Sequence, residues 1–499
     1  MNGGVIDYGS QYTRLLLRAI RKLGYYSELL SPYEKPEVMP DAIVLSGGPM
    51  SVYQDEAPKL PKWVLEADVP TLGVCYGMQL LAKELGGVVK RGKAEYGKTF
   101  VEVLRDDPLF DGVKKKFQVW MSHGDEVTEA PKGFEVLSKS SSGVVSVMRK
   151  GKIVAFQFHP EVHHTQYGEI LLENFFSKIA KLEKDWKVEN VLENMMNEIK
   201  EKTKGKRVIG AVSGGVDSTV AAVLTSKAVG ERFLGVFVDH GLLRKNERAT
   251  VEKTLKDLGV NFKVVDASGI FLERLKGVTD SEEKRKIIGK TFIDVFEREA
   301  KNWKAKWLLQ GTIYSDVIES GSGGRASKIK SHHNVGGLPE RLNLKLLEPF
   351  RYLFKDEVRE IGKMLGLPNG IVNRHPFPGP GLAVRIPGEV TKEKVRILQD
   401  VDEIFIDVLR KTGWYEKVWQ AFSILLPVRT TGVKGDERDY GYAVVLRAVW
   451  SREGMTAEWV KFPSEVLEEA STAILSNVKE VTRVLYDISN KPPATIEWE

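Results

Sequence analysis

Leu72-Gly73-Val74-Cys75-Tyr76-Gly77-Met78-Gln79 sets the single cysteine of the 499-residue chain between two glycines. The apolar positions before it (Val69, Thr71, Leu72, Val74) predict a buried strand. Met78, Leu80, Leu81, Ala82 and Leu85, followed by Gly86-Gly87, predict a helix with a glycine stop. A Gly-x-Cys-x-Gly corner between strand and helix lifts a nucleophile out of the backbone. The helix N-terminus then favours the thiolate through its free N–H groups and dipole. The plain alternative is a small buried core residue, and flanking glycines at such a corner argue against it.

A nucleophilic cysteine needs a base and a group to orient that base. Ile153-Val154-Ala155-Phe156 reads as a strand leading into Gln157-Phe158-His159-Pro160-Glu161-Val162. Pro160 keeps His159 off a helix, so His159 projects at a strand end with Glu161 placed to hold its ring. His163 and His164 raise a metal alternative, but no cysteine ligand joins them and Pro160 spoils a helical His-x-x-x-His face.

Together these residues resemble the class I glutamine amidotransferases, and further pieces stand in family order. Val5-Ile6-Asp7-Tyr8-Gly9-Ser10-Gln11-Tyr12 is similar to the first strand and turn. Ile43-Val44-Leu45-Ser46-Gly47-Gly48-Pro49 is a strand running into a glycine turn, and Met121-Ser122-His123-Gly124-Asp125 is similar to a glutamine-holding segment. The resemblance implies a Cys75-His159-Glu161 triad and hydrolysis of glutamine to glutamate and ammonia. It assigns glutamine and oxyanion binding to Gly48, Tyr76, Gln79, Ser122 and His123, with backbone N–H groups facing the oxyanion.

Length alone suggests about three domains. With 42% hydrophobic and 28% charged residues, each domain can bury a core. The net charge of +6 is small, and basic and acidic residues are interspersed. That argues against a dedicated nucleic-acid binder and fits local basic pockets for phosphates. One cysteine forms no internal disulfide, which fits a reducing compartment. Met1-Asn2-Gly3-Gly4 shows no basic-then-apolar leader, and no run approaches the ~18 apolar residues of a membrane span. The expectation is a cytoplasmic protein without a membrane partner.

Lys181 to Lys206 carries apolar residues at Trp186, Val188, Val191, Leu192, Met195 and Ile199 among Lys and Glu, which predicts one amphipathic helix opening a second domain. From 207 to about 370, strand and helix patterns alternate, the mark of a parallel α/β sheet. Arg374-His375-Pro376-Phe377-Pro378-Gly379-Pro380-Gly381 is a second break, and strand-like runs at Ser423–Val428 and Ala443–Ala448 follow it.

Val208-Ile209-Gly210-Ala211-Val212 leads into Ser213-Gly214-Gly215-Val216-Asp217-Ser218-Thr219 and a helix. A Gly-Gly turn at a helix N-terminus is a nest of N–H groups for phosphate. No Gly-Lys-Ser/Thr follows, so it is not a Walker loop. It suits release of a whole pyrophosphate, with Asp217 a candidate Mg²⁺ ligand. The stretch resembles the pyrophosphate-loop ATP pyrophosphatases, which adenylate a carbonyl oxygen and let a nucleophile displace AMP.

Phe237-Val238-Asp239-His240-Gly241-Leu242-Leu243-Arg244, Glu283-Lys284-Arg285-Lys286-Ile287-Ile288-Gly289, Gln310-Gly311-Thr312-Ile313-Tyr314, Lys330-Ser331-His332-His333-Asn334 and the ending Lys491-Pro492-Pro493-Ala494-Thr495-Ile496-Glu497-Trp498-Glu499 are similar to the GMP synthetase family. That resemblance implies an α/β chain with two parallel-sheet domains: a flavodoxin-like glutaminase (1–183) and an adenine nucleotide alpha hydrolase-like ATP pyrophosphatase (184–374). A small C-terminal α+β dimerisation domain (375–499) completes it. It implies conversion of XMP, ATP and glutamine to GMP, AMP, pyrophosphate and glutamate, with Mg²⁺, in a homodimer. It assigns Ser213, Gly214, Gly215, Val216, Asp217, Ser218, Thr219 and Lys355 to ATP and pyrophosphate. Arg285, Gln420, Asp436, Lys491, Ile496 and Glu497 fall to XMP, and Asp217 and Glu357 to the metal.

Two rival readings stand beside this one. Another glutamine-dependent adenylating ligase, such as an NAD-forming one, commonly carries a different glutaminase and lacks the Lys-Pro-Pro-Ala-Thr-Ile-Glu-Trp-Glu ending. A non-catalytic nucleotide-sensing scaffold has no need of Cys75, His159, Glu161, Asp217 and Lys355. A final expectation is a lid at 321–337, rich in glycine and basic residues, that closes over ATP and XMP.

Overall fold

Val5, Ile6, Ile43, Val44, Leu45, Leu72 and Val74 are all fully buried, as strands covered on both faces require. They belong to β1 (Gly3–Ile6), β3 (Ala42–Leu45) and β4 (Thr71–Val74), which with β2 (Ser27–Leu30) and β9 (Ile153–Phe156) pair in parallel in the order β2-β1-β3-β4-β9. The sheet then continues antiparallel through β8 (Val145–Lys150), β7 (Glu135–Ser140), β5 (Val88–Val103) and β6 (Lys116–Glu129). This second half goes beyond the parallel sheet expected. In β6 buried residues alternate with more exposed ones, the pattern of an antiparallel strand with one wet face.

The computed structural model describes residues 3–184, 186, 188–314, 316, 343–434, 436–451 and 456–499; the lid expected at 321–337 lies outside them. The chain divides into two units, Met1–Val191 and Leu192–Glu499. The amphipathic helix expected across 181–206 is observed at Val188–Thr203.

In the second unit β10 (Val208–Ala211), β11 (Phe233–Asp239), β12 (Phe262–Asp266), β13 (Trp307–Leu309) and β14 (Lys345–Leu347) form a parallel sheet in the order β12-β11-β10-β13-β14. In a separate sheet β16 (Glu437–Trp450) is the central strand, paired with β15 (Gln420–Lys434), β17 (Glu458–Trp459) and β18 (Val481–Tyr486). One apolar core runs from Ile209, Val236 and Phe296 through Ile386 and Phe405 to Val444 and Ile474, so the two sheets share buried residues. The helices Lys392–Lys411 and Ser464–Asn477 contribute to this core.

Both candidate centres lie where such sheets place ligands, beyond the carboxyl ends of parallel strands. Cys75 follows β4, the Ser46-Gly47-Gly48 turn follows β3, and His159 lies just past β9. In the second unit the Ser213–Thr219 loop follows β10.

Candidate functional site

Cys75 has φ 51° and ψ −105°, a conformation an L-residue adopts only under constraint. Such a residue costs about 1–3 kcal/mol and persists because its surroundings hold it. Its N–H donates to the Phe156 carbonyl (2.7 Å), and the helix Tyr76–Glu84 starts at the next residue. The flanking glycines are needed for close approach. A Cβ on Gly77 would strike the Leu45 carbonyl, and one on Gly73 would lie 2.8 Å from the Gly77 backbone. The turn after β3 packs on the elbow in the same way, since a Cβ on Gly48 would meet the Tyr76 ring at 3.1 Å.

His159 Nδ1 lies 2.7 Å from Glu161 Oε1, both side chains are buried, and His159 and Cys75 line the same cavity. Burial opposes the imidazolium, but the Glu161 carboxylate and the Cys75 sulfur outweigh it and raise the His159 pKa to about 10. The His159 N–H donates to the Trp120 carbonyl (3.0 Å), and the Thr165 hydroxyl donates to the His159 carbonyl (2.6 Å). Tyr12 stands edge-on to the imidazole with 4.7 Å between centroids. The three residues expected to form a triad are thus brought together, with the base oriented on both sides.

A cavity of about 740 Å³ opens at Cys75, lined among others by Gly48, Gln79, Ser122, His123 and His159. The Cys75 thiol lies 3.5 Å from the Ser122 carbonyl, and Gln79 Nε2 donates to the Asp125 carbonyl (2.8 Å). All the residues expected to hold glutamine therefore border one cavity or its elbow. Sequence reasoning missed Glu95. It is buried, accepts from the Ser140 hydroxyl (2.9 Å), and faces His123 Nε2 at 3.3 Å, while His123 Nδ1 faces the Asp125 carbonyl at 3.0 Å. Burial lowers the His123 pKa against the pull of Glu95.

In the second unit Gly214 has φ 77° and Gly215 caps the helix Val216–Val229 with extended backbone. The Ser213 and Ser218 hydroxyls are 3.0 Å apart, and the Thr219 hydroxyl donates to the Gly215 carbonyl (2.7 Å). Lys355 Nζ lies 3.5 Å from Asp217 Oδ2, while Asp217 Oδ1 is buried with no hydrogen-bond partner among the described residues. Glu357 accepts from the Phe354 N–H (2.7 Å), so one of its oxygens caps the helix Lys355–Met364. Among the described residues no three His, Cys, Asp or Glu side chains cluster to hold a metal. A Mg²⁺ that keeps waters and shares substrate phosphates needs only one or two carboxylates, and the unpartnered Asp217 oxygen fits that demand.

The expected XMP residues divide. Gln420 Nε2 donates to Glu497 Oε1 (2.8 Å), and Arg385 grips the same carboxylate with both arms (2.9 and 2.8 Å). Arg385 is fully buried between Phe422 and Phe377. Arg447, also fully buried, donates to the carbonyls of Ile496 (2.8 Å), Thr495 (2.9 Å) and Ser489 (3.1 Å). Lys491 pairs its backbone with Ala457, and Arg285 contacts the Glu499 carbonyl. The ending is therefore anchored rather than frayed. Asp436 does not join this group. It stands at the tip of the β15–β16 hairpin, up to roughly 45 Å along the strand from Gln420 at ~3.3 Å per residue. Arg385 and Arg447 escaped the sequence reading, although a lone Arg inside the apolar runs Leu382–Ile386 and Val444–Val449 is the signal of a buried, paired charge.

The glutamine amidotransferase class-I family matches residues 4–179, the NAD synthase family matches 187–292, and the GMP synthase C terminal domain family matches 407–498. A GMP synthase [glutamine-hydrolyzing] of Thermotoga maritima is 58% identical over 99% of both chains. One from Aquifex aeolicus is 54% identical, again over 99% of each. A solved glutamine amidotransferase from Thermotoga maritima is 22% identical with a TM-score of 0.30, covering 52% of this chain and 96% of its own. A full-length match at this identity, on a chain that carries both the cysteine elbow and the Ser-Gly-Gly-x-Asp-Ser loop, means that the chain belongs to the glutamine-hydrolysing GMP synthase family.

Proposed function

We propose that the chain makes GMP from XMP, ATP and glutamine, with each half-reaction run by the residues gathered above. The observation that carries this reading is the pairing, in one chain, of the buried Cys75-His159-Glu161 constellation with the pyrophosphate loop at Ser213–Thr219.

In the first unit Cys75 attacks the glutamine carboxamide carbon. His159 passes a proton to the leaving ammonia, and the thioester formed on Cys75 is hydrolysed by water that His159 deprotonates. Glu161 keeps His159 protonated and oriented. Backbone N–H groups at Gly48 and Tyr76 receive the oxyanion, while Gln79, Ser122 and His123 hold the substrate.

In the second unit the loop from Ser213 to Thr219, with Lys355, grips the phosphates. The C2 oxygen of XMP attacks the α-phosphorus of ATP and pyrophosphate leaves; ammonia then adds at C2 and AMP departs. Asp217 is the residue that would hold Mg²⁺, which would neutralise phosphate charge when bound with ATP; Glu357 is the second acidic candidate. Arg285 and Lys491 suit the XMP phosphate, and Gln420, Ile496 and Glu497 suit its base.

Three functional segments, 1–183, 184–374 and 375–499, follow from this division of labour. A homodimer through the last segment is part of the same proposal, supported by exposed Val433 and Tyr440 on the hairpin that carries Asp436. So is a cytoplasmic setting. No helix among the described residues is long and apolar enough to cross a membrane.

The experiment is ATP-dependent loss of XMP absorbance, measured with glutamine and with ammonium. GMP formation from both is the expected result. Consumption of an NAD precursor instead, or no turnover with either nitrogen source, would reverse the reading.

A further inference from the structure

Arg374 opens the Pro/Gly-rich stretch and reaches the loop at Gly214. Its Nη1 donates to the Gly214 carbonyl (2.9 Å), and its Nη2 pairs with Glu247. Glu247 is nearly fully buried, and its second oxygen accepts from the Arg244 N–H (2.9 Å). Glu247 opens the helix Glu247–Asp257, and the same helix supplies Val251, whose Cγ2 would lie 2.7 Å from a Cβ on Gly214. One helix thus provides both an apolar backstop and a carboxylate behind the loop.

The peptide plane explains what this does. In a trans peptide the carbonyl of one residue and the N–H of the next point in opposite directions. A carbonyl held towards Arg374 therefore sends the Gly215 N–H the other way, to the side of the Ser213 and Ser218 hydroxyls, where it donates to Ser213 Oγ (3.4 Å), the side on which a phosphate would meet the loop. Gly-Gly is the pair least able to resist turning over, because neither residue has a Cβ to bar the alternative. A turned peptide would aim a carbonyl at the phosphates. Glu247 neutralises the guanidinium, so Arg374 holds the loop rather than the anion.

We propose that Arg374 and Glu247 are positioning residues for the pyrophosphate loop, holding the Gly214–Gly215 peptide in the orientation that binds phosphate. The proposal rests on the adenylation reading of this loop.

The test uses the full chain with ammonium as nitrogen source and two variants, Arg374→Lys and the double Arg374→Met/Glu247→Gln. The lysine keeps the charge but cannot reach both partners with a fork. The double variant removes both charges together and leaves no buried carboxylate unpaired. Both variants are expected to raise the KM for ATP about tenfold, equivalent to ~1.4 kcal/mol, and to slow XMP-dependent exchange of pyrophosphate into ATP. The KM for XMP should stay within about twofold, and thermal unfolding within the ~2–4 °C that 1 kcal/mol produces in a domain of about 150–250 residues. An unchanged KM for ATP in a folded double variant overturns the proposal and leaves the pair a plain ion pair. If the double variant fails to fold, the lysine variant decides by the same criterion. Absence of exchange in the unaltered enzyme overturns the adenylation reading, and the proposal falls with it. A defect confined to ATP in variants of an exchanging enzyme has no such origin.

Discussion

Nε2 of His123 lies 3.3 Å from a carboxylate oxygen of Glu95, with both side chains almost entirely buried. Nδ1 of the same ring faces the Asp125 carbonyl. Both nitrogens thus face oxygen atoms, which fixes the plane of the ring. Glu95 is not among the residues lining the cavity and meets it through His123, so in the proposed mechanism it would act by fixing the Ser122–Asp125 wall. Glu95→Gln should lower kcat/KM for glutamine-dependent GMP formation about tenfold, ~1.4 kcal/mol, and leave the ammonium-dependent rate unchanged. Equal loss with both nitrogen sources would show damage beyond the glutaminase wall.

Cys75→Ala separates the half-reactions. In the proposed mechanism the thiol serves only to release ammonia, so glutamine-dependent synthesis should fall on the order of 10³-fold or more, while ammonium-dependent synthesis persists. Steady-state rates with each nitrogen source decide it. Loss of both in a folded variant would mean that one site does both jobs.

Glu161 sets a pH limit. His159 is raised to about 10 in the folded chain from an unperturbed value of 6.5. Its contribution to stability is therefore fully present below 6.5 and lost as pH rises through about 10. Glu161→Gln leaves the cost of burial without its compensation. The alkaline limb of the glutaminase pH profile should move to lower pH, and the stability gap between parent and variant should be widest near pH 6. An alkaline limb that does not move would show that another group holds the imidazolium.

Asp217→Asn keeps the shape of the side chain and removes the charge beside Lys355. Adenylation should fall about 10²-fold or more with either nitrogen source, with little change in thermal unfolding because Asp217 is partly exposed in the first turn of its helix. Exchange of labelled pyrophosphate into ATP in the presence of XMP is the measurement. Full exchange would reduce Asp217 to a helix-start residue.

The elbow and the phosphate nest were legible because their geometry is local. Gly73 and Gly77 must lack Cβ atoms for strand, helix and Leu45 to approach, and Gly214 must take a positive φ. Such demands are met within eight residues, so they leave a short, readable pattern. The same holds for His159 and Glu161, two residues apart across a proline. Gln420 and Glu497 were grouped only by the family resemblance, and their contact was not legible, since nothing periodic links positions 77 apart.

What the sequence determined by itself was the kind of chemistry and the segments that carry it, since nucleophile corners and phosphate nests are built from neighbouring residues. Only the tertiary structure decided which distant charges complete each site. Glu95 meets His123 from 28 residues away, Arg374 meets Gly214 from 160, and Arg385 meets Glu497 from 112. It also set Asp436 at a hairpin tip, away from the residues it was grouped with. The physical reason is burial: a charge enters the interior only where a partner is waiting, and folding, not spacing along the chain, brings that partner into place.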